Sequence, residues 1–121
     1  MKSYKDLEIY QTSYDLALKI HILSLKLPKY ELYEEGSQIR KSSKGIPACI
    51  VEGYGRRKYM ADFLKFLTYA HASCDETILH LNFINDTHGL EKDEFDSFQE
   101  SYNGLGGKIN RFIQYVESEW K

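Results

Sequence analysis

The most regular pattern in the sequence lies in residues 59–87, YMADFLKFLTYAHASCDETILHLNFINDT. Apolar or small side chains recur along it at alternating spacings of four and three residues: Phe63, Leu67, Ala70, Cys74, Thr77, Leu81 and Ile84. A stripe with this heptad spacing is typical of a helix that packs almost parallel to its neighbours in a bundle. We therefore predict a long helix over residues 58–87, ended by the pair His88-Gly89.

Three further segments show a helical pattern of apolar residues. The first, residues 4–27, stops before Pro28 and carries the stripe Leu7, Tyr10, Tyr14, Leu18, His21 and Leu25. The second, residues 33–53, carries the stripe Ile39, Ser43, Ile46 and Ile50. The last, residues 92–119, carries the stripe Phe95, Phe98, Tyr102, Leu105, Ile109, Phe112 and Val116. We expect each stripe to face the core.

Proline and glycine should perturb two of these helices. Pro47 costs about 3 kcal/mol inside a helix unless it lies at a kink, so we expect one kinked helix or two shorter ones. Gly53 and Gly55 are expected to end this helix. The last helix should cross a neighbour closely, or break, at three glycines: Gly104, Gly106 and Gly107.

The predicted fold class is all-α, an antiparallel up-down-up-down four-helix bundle with helices over about residues 4–27, 33–53, 58–87 and 92–119. Short connections between long helices favour this topology because consecutive helices then pack side by side. The 121 residues suffice for a single domain, residues 1–121, that buries a core of its own.

The net charge of −2 hides an asymmetry along the chain. Between residues 38 and 58 six Lys or Arg stand against one acid, whereas between residues 86 and 100 six acids stand against one base. The basic part could bind an anionic partner. It could equally pack on the acidic part of a neighbouring copy, as a ring of identical subunits would allow.

The motifs of common enzyme classes are missing from the sequence. There is no G-x-S-x-G, H-E-x-x-H or P-loop motif, and no Glu-x-x-His pair of the kind that builds di-iron bundles. His71, Cys74 and Asp75 share one helical turn but make a poor metal site. We therefore predict a protein that is not an enzyme and uses no metal or cofactor.

Three acidic residues are expected to be structural polar groups: Glu52, Asp62 and Glu76. We expect buried or half-buried ion pairs in which Arg40 or Arg57 supplies the counter-charge. A metal-dependent enzyme that uses these carboxylates is a distant alternative.

The candidate binding surface is a set of seven cations: Arg40, Lys41, Lys44, Arg56, Arg57, Lys58 and Lys65. A patch of this kind suits contacts with phosphates, and Tyr54 or Tyr59 could stack on a base. The alternative is a solvated basic face, or one matched to acids of another subunit.

The N-terminal residues, MKSYKD, lack the apolar core of a signal peptide, and both Cys49 and Cys74 lie in apolar helical contexts. We therefore expect a cytoplasmic protein with reduced thiols. No run approaches the roughly 20 apolar residues of a membrane span, so the membrane is not a predicted partner.

A set of motifs in the centre of the chain points to a known family. They are Gln38-Ile39-Arg40, Ser43-x-x-Ile46-Pro47, Ile50-x-Glu52-Gly53-Tyr54-Gly55-Arg56-Arg57, Asp62-Phe63-x-x-Phe66-Leu67 and Ala70-x-Ala72-Ser73-Cys74-x-Glu76. Together they resemble the four-helix bundle family of 23S rRNA intervening-sequence proteins, also labelled S23 proteins. The chain departs from the family's usual pattern at Cys49 and Val51, where the family has Asn and Ala, and at Tyr59-x-x-Asp62, where it has Ser-x-x-Glu.

The resemblance implies a bacterial homopentamer with a central channel, encoded within an insertion in a 23S rRNA gene. A related branch of the family is the accessory protein of diversity-generating retroelements, which binds reverse transcriptase and nucleic acid through basic residues. The resemblance brings no catalytic residues. We therefore predict a non-enzymatic homo-oligomer that binds RNA or DNA and scaffolds a protein partner such as a reverse transcriptase. The alternative is a purely structural oligomer with no role at nucleic acid.

Overall fold

The computed structural model describes residues 2–120 and consists, in that range, of helices and their connections. The four long helices are α1 (Glu8–Leu25), α2 (Glu35–Gly55), α3 (Met60–His88) and α4 (Lys92–Glu119). Short 3-10 turns, Tyr4–Asp6 and Lys29–Glu31, precede α1 and α2. Both α1 and α3 pack against α2 and α4, so the helices surround one core. The predicted four-helix bundle is confirmed.

The apolar stripe of α3 is buried, as its heptad spacing predicts. All seven residues of the predicted α3 stripe have no exposed surface, from Phe63 at the start of the helix to Ile84 near its end. The helix ends where Gly89 adopts a positive φ of 74°, a conformation that glycine reaches without steric cost. The heptad stripe of α3 is therefore one wall of the core over its whole length.

The predicted buried face of α1 is right for Leu7, which is buried, and wrong for most of the helix that follows. The apolar side chains that α1 turns into the core are Ile9, Leu16, Ala17, Ile20 and Leu23. Tyr14, Leu18 and Leu25, which the prediction placed inside, are 47%, 51% and 57% exposed. The helix carries two apolar stripes at helical spacing, and the bundle buries the one that the prediction did not choose.

The first helix also begins later than predicted. Ser3 and Asp6 form a reciprocal capping box around the 3-10 turn, and Leu7 then adopts an extended conformation with φ −74° and ψ 126°. An extended residue cannot continue a helix, so α1 starts only at Glu8.

The second helix is continuous through Pro47, which is buried, so the alternative of two shorter helices is wrong. Gly53 does not end α2, which runs on to Gly55. Gly53 is instead a point of close approach, because a Cβ there would lie 3.1 Å from the Cβ of Phe66. Its role is to let α3 pack directly on the backbone of α2.

Small and hydroxyl side chains line the contact between α2 and α3, which we call the α2–α3 seam. The Thr77 hydroxyl lies 2.9 Å from that of Ser42, and both residues are buried. A Cβ on Gly45 would lie 3.4 Å from the Ser73 hydroxyl. Together with Gly53 these positions hold the two backbones close over several turns.

The predicted break in α4 is absent from the described chain, because this helix runs unbroken from Lys92 to Glu119. Gly104 faces open space, and a Cβ on Gly106 would make an ordinary contact of 3.7 Å with the sulfur of Cys74. These two glycines therefore weaken α4 without serving a close helix crossing.

We expect Gly104→Ala to raise the free energy of unfolding by up to about 1 kcal/mol, because alanine is the better helix former and its Cβ would meet no described atom within 4 Å. Gly53→Ala gains the same propensity, yet we expect it to lower the free energy of unfolding by about 1–3 kcal/mol through overpacking against Phe66. Urea unfolding of the two variants measures both shifts. A Gly53→Ala variant as stable as Gly104→Ala would refute the close approach at the α2–α3 seam.

Candidate nucleic-acid interface

The connection between α2 and α3 brings four of the predicted cations together. The chain turns there through backbone hydrogen bonds from Arg57 to Tyr54 and from Tyr59 to Arg56, of 3.2 and 2.8 Å. We call the exposed set Arg56, Arg57, Lys58 and Lys65 the basic joint. Lys65 belongs to it because its ammonium and the Arg56 guanidinium lie 5.2 and 5.0 Å from the centroid of the same ring, Phe66.

Arg56 links the two helices through carboxylates. Its Nε donates to Glu52 at 2.7 Å and its Nη1 to Asp62 at 3.4 Å. The hydrogen bond to Glu52 raises the pKa of Arg56. Glu52 and Asp62 form ion pairs as predicted, with all three side chains 37–49% exposed. The predicted counter-charges Arg40 and Arg57 are wrong, because Arg56 lies one helical turn after Glu52 and takes that place.

Arg57 and Tyr54 form a second unit of the joint. The Arg57 guanidinium lies 4.1 Å from the centroid of the Tyr54 ring and donates to the Tyr54 carbonyl at 2.9 Å. Tyr54 is only 7% exposed, and its ring packs edge-on against Phe63 and Trp120 at 6.5 and 6.4 Å. Tyr54 is therefore a core residue, and the prediction that it stacks on a base is corrected.

Lys58 and Lys65 are the freer cations of the joint. Among residues 2–120, the ion pairs of the joint all involve Arg56, so neither lysine has a carboxylate partner there. Four cations against the two carboxylates Glu52 and Asp62 leave the joint with a net charge of +2. That charge is available to an anion because all four cations are exposed.

The remaining predicted cations lie elsewhere. Arg40 is half-buried, and its guanidinium donates to the Ser24 hydroxyl at 2.9 Å and the Leu32 carbonyl at 2.7 Å, so it ties α1 to the loop before α2. Lys41 and Lys44 are exposed on α2, 15 and 12 residues before Arg56, which is about 22 and 18 Å along the helix. The seven predicted cations do not form one patch.

An apolar groove of about 490 Å³ lies between α1 and α2. Its lining includes Tyr14, Leu18, Pro47, Ala48 and Val51, and we call it the α1–α2 groove. The stripe of α1 that the core leaves outside therefore forms one wall of a concave apolar surface. Lys44 and Glu52 also line it and are exposed.

Two His–Glu pairs tie α3 to the α1–α2 connection and the start of α2, far from the joint. His88 Nε2 lies 2.6 Å from Glu31, and His80 Nδ1 lies 2.8 Å from Glu35. Glu76 lies 3.9 Å from His80 and is 54% exposed, so its predicted pairing with an arginine is wrong. No sequence pattern indicates these pairs, because their partners are 57 and 45 residues apart.

His71, Cys74 and Asp75, the three residues of the poor metal site in the sequence, do not all lie in one environment. Cys74 points into the core and donates to the Tyr102 carbonyl at 3.3 Å, and burial raises the pKa of its thiol to about 12. Asp75 is exposed, 3.7 Å from His71. Within residues 2–120, no three His, Cys, Asp or Glu side chains are grouped as a metal site, and no helix has both the length and the apolarity to cross a membrane.

Comparison with known proteins identifies the family. The family described as 23S rRNA-intervening sequence protein matches residues 5–111. A solved structure of a protein with unknown function from the S23 ribosomal protein family of Bacteroides thetaiotaomicron VPI-5482 superposes with a TM-score of 0.74. It is 22% identical and covers 87% of this chain and 97% of its own, which shows the shared fold. The comparison with curated proteins gave no match. With most of its length matched, the chain belongs to the 23S rRNA-intervening sequence protein family.

Proposed function

We propose that this protein is a non-enzymatic, homo-oligomeric bundle that binds nucleic acid, RNA or DNA, through the basic joint. The observation that carries the proposal is the grouping of Arg56, Arg57, Lys58 and Lys65, three of which lie beside the exposed or half-buried rings of Tyr59 and Phe66. Cations contact phosphates irrespective of sequence, and aromatic rings stack on bases. A protein partner such as a reverse transcriptase is a prediction that rests on the family resemblance alone.

The acidic part of the chain lies too far away to cancel the charge of the joint. The joint is at the start of α3, whereas the acid-rich residues 86–100 follow the end of this 29-residue helix. A helix of that length spans about 43 Å, several times the screening length of about 8 Å at physiological salt. Residues 86–100 therefore do not cancel the positive charge of the basic joint.

Apolar surface outside the core supports self-association. On α1, Leu18 lines the α1–α2 groove and is 51% exposed, and Ile22, one turn later, is 58% exposed. On α3, Leu79 and Phe83 are 51% and 47% exposed and lie one turn apart. Contiguous exposed apolar surface of this kind marks contact sites. Two different contact faces on one chain suit head-to-tail association. Such contacts form a ring when the rotation between subunits closes, and the resemblance implies a ring of five.

For nucleic-acid binding, we expect Lys58→Ala/Lys65→Ala to weaken binding of a labelled 23S rRNA fragment. The loss of phosphate contacts should also flatten the plot of log affinity against log salt, by about 0.7 for each contact on a single strand. Fluorescence anisotropy between about 50 and 200 mM salt measures both effects. The matched control is Lys26→Ala/Lys29→Ala, which removes the same charge from exposed positions in the α1–α2 connection.

Wild-type protein that binds no rRNA fragment at about 50 mM salt, where phosphate contacts are strongest, would refute the nucleic-acid proposal. An equal loss of affinity in the control variant would show that total charge, and not the basic joint, is responsible.

For self-association, we expect light scattering to give a mass that is a multiple of the 14.2 kDa chain, and five copies would weigh about 71 kDa. Leu18→Glu/Ile22→Glu should release monomers, because a contact that buries two unpaired carboxylates is strongly disfavoured. Tyr33→Glu is the control, since Tyr33 is 81% exposed in the connection before α2. A monomeric wild-type protein would contradict the oligomer.

A further inference from the structure

Exposed aromatic side chains continue from the basic joint onto α3. Tyr59, which precedes the helix, is 63% exposed, and Tyr69 is 48% exposed. Phe66 lies between them in the chain and contacts Tyr69 edge-on, with ring centroids 5.5 Å apart. Residues 66 and 69 are three apart and so share one side of the helix. We call Tyr59, Phe66 and Tyr69 the aromatic strip.

The members of the strip differ in what their rings contact. Phe66 packs over Gly53, and its ring centroid lies 5.0 Å from the Arg56 guanidinium and 5.2 Å from the Lys65 ammonium. Its ring therefore holds two cations in place. Tyr59 has the Lys58 ammonium at 5.8 Å from its ring centroid. With about half or more of their surface exposed, Tyr59 and Tyr69 are the rings that a ligand can reach.

We infer that the aromatic strip makes the basic joint a site for single-stranded nucleic acid, with bases stacked on Tyr59 and Tyr69 and phosphates on Lys58 and Lys65. The inference rests on the proposed function and names its ligand class. In a duplex the base faces are covered by neighbouring bases, so a duplex can reach the cations of the joint but not the rings. Ten residues separate the two tyrosines, about 15 Å along the helix, which gives room for a strand to run along α3.

The charges of the strip favour a nucleic acid over a protein as its occupant. A second copy packed on these rings would bury Lys58 and Lys65 at a cost unless its acid-rich residues 86–100 paired with them, and such a subunit contact would show in the mass of the oligomer. Among residues 2–120, the two carboxylates of the joint are already bound to Arg56. A single strand carries both the phosphates that would pair with the lysines and the bases that would stack on the rings.

The test compares short labelled oligouridine with the same strand annealed to oligoadenosine. We expect the single strand to bind more tightly, and Tyr59→Leu and Tyr69→Leu each to weaken its binding at least about fivefold, because a stacked base is lost. Duplex binding and the salt dependence should not change, since the leucine variants keep every cation. Tyr69→Phe keeps the ring and should bind like wild type, and Tyr33→Leu is the control at a distant exposed tyrosine.

Equal affinity for both forms, together with leucine variants that bind like wild type, would overturn the inference and leave the proposed function intact. If the wild-type protein bound neither the single strand nor the duplex at about 50 mM salt, both the proposed function and this inference would be refuted. Leucine variants that change the mass seen by light scattering would make the strip a subunit contact, which also overturns the inference.

Discussion

The position of the basic joint depends on how closely α2 and α3 approach each other. The buried hydroxyls of Ser42 and Thr77 lie 2.9 Å apart across this contact. Each also lies within hydrogen-bond distance of a carbonyl of its own helix, so both are satisfied where the two backbones are close. Gly53 leaves space for Phe66 to pack on the backbone of α2. With Phe66 of α3 held there, the guanidinium of Arg56, at the end of α2, lies over its ring. Asp62 of α3 forms an ion pair with the same Arg56. The same small residues that close the α2–α3 seam therefore set the geometry of the cations beside it.

The fold could be predicted well where a helix has a single apolar stripe, and less well where it has two. The spacing of α3 admits one buried face, and the bundle buries all of it. In α1 the stripes through Leu16 and through Leu18 both have helical spacing, and only the packing of α2 and α4 on this helix decides between them. The role of each glycine could not be predicted for a similar reason. A Cβ added at Gly53 would lie against a phenylalanine of α3, whereas a Cβ added at Gly104 would face open space, and the sequence does not distinguish the two positions.

The candidate site could be predicted only in part. The charge of a side chain can be read from the sequence, but its burial depends on residues that are distant in the chain. Lys58 and Lys65 are exposed, as their chemistry suggests. Arg40 is not free to bind a ligand because its guanidinium donates to the hydroxyl of Ser24, 16 residues away. The ring of Tyr54 is buried against Trp120, at the end of α4. The aromatic strip had a local signal, since Tyr59, Phe66 and Tyr69 follow one another at intervals of seven and three residues, which is a helical spacing. The aromatic strip places rings next to the cations of the basic joint, so that one bound strand could contact both.

Photo-crosslinking with a 4-thiouridine oligonucleotide, followed by mass spectrometry of the crosslinked peptides, tests most directly where nucleic acid binds. The chain has ten tyrosines, so those outside the strip are internal controls. We expect crosslinks at Tyr59 and Tyr69 that disappear at high salt, when phosphate contacts are lost. Crosslinks concentrated at Tyr30 and Tyr33, in the connection before α2, or spread evenly over all exposed tyrosines, would contradict it.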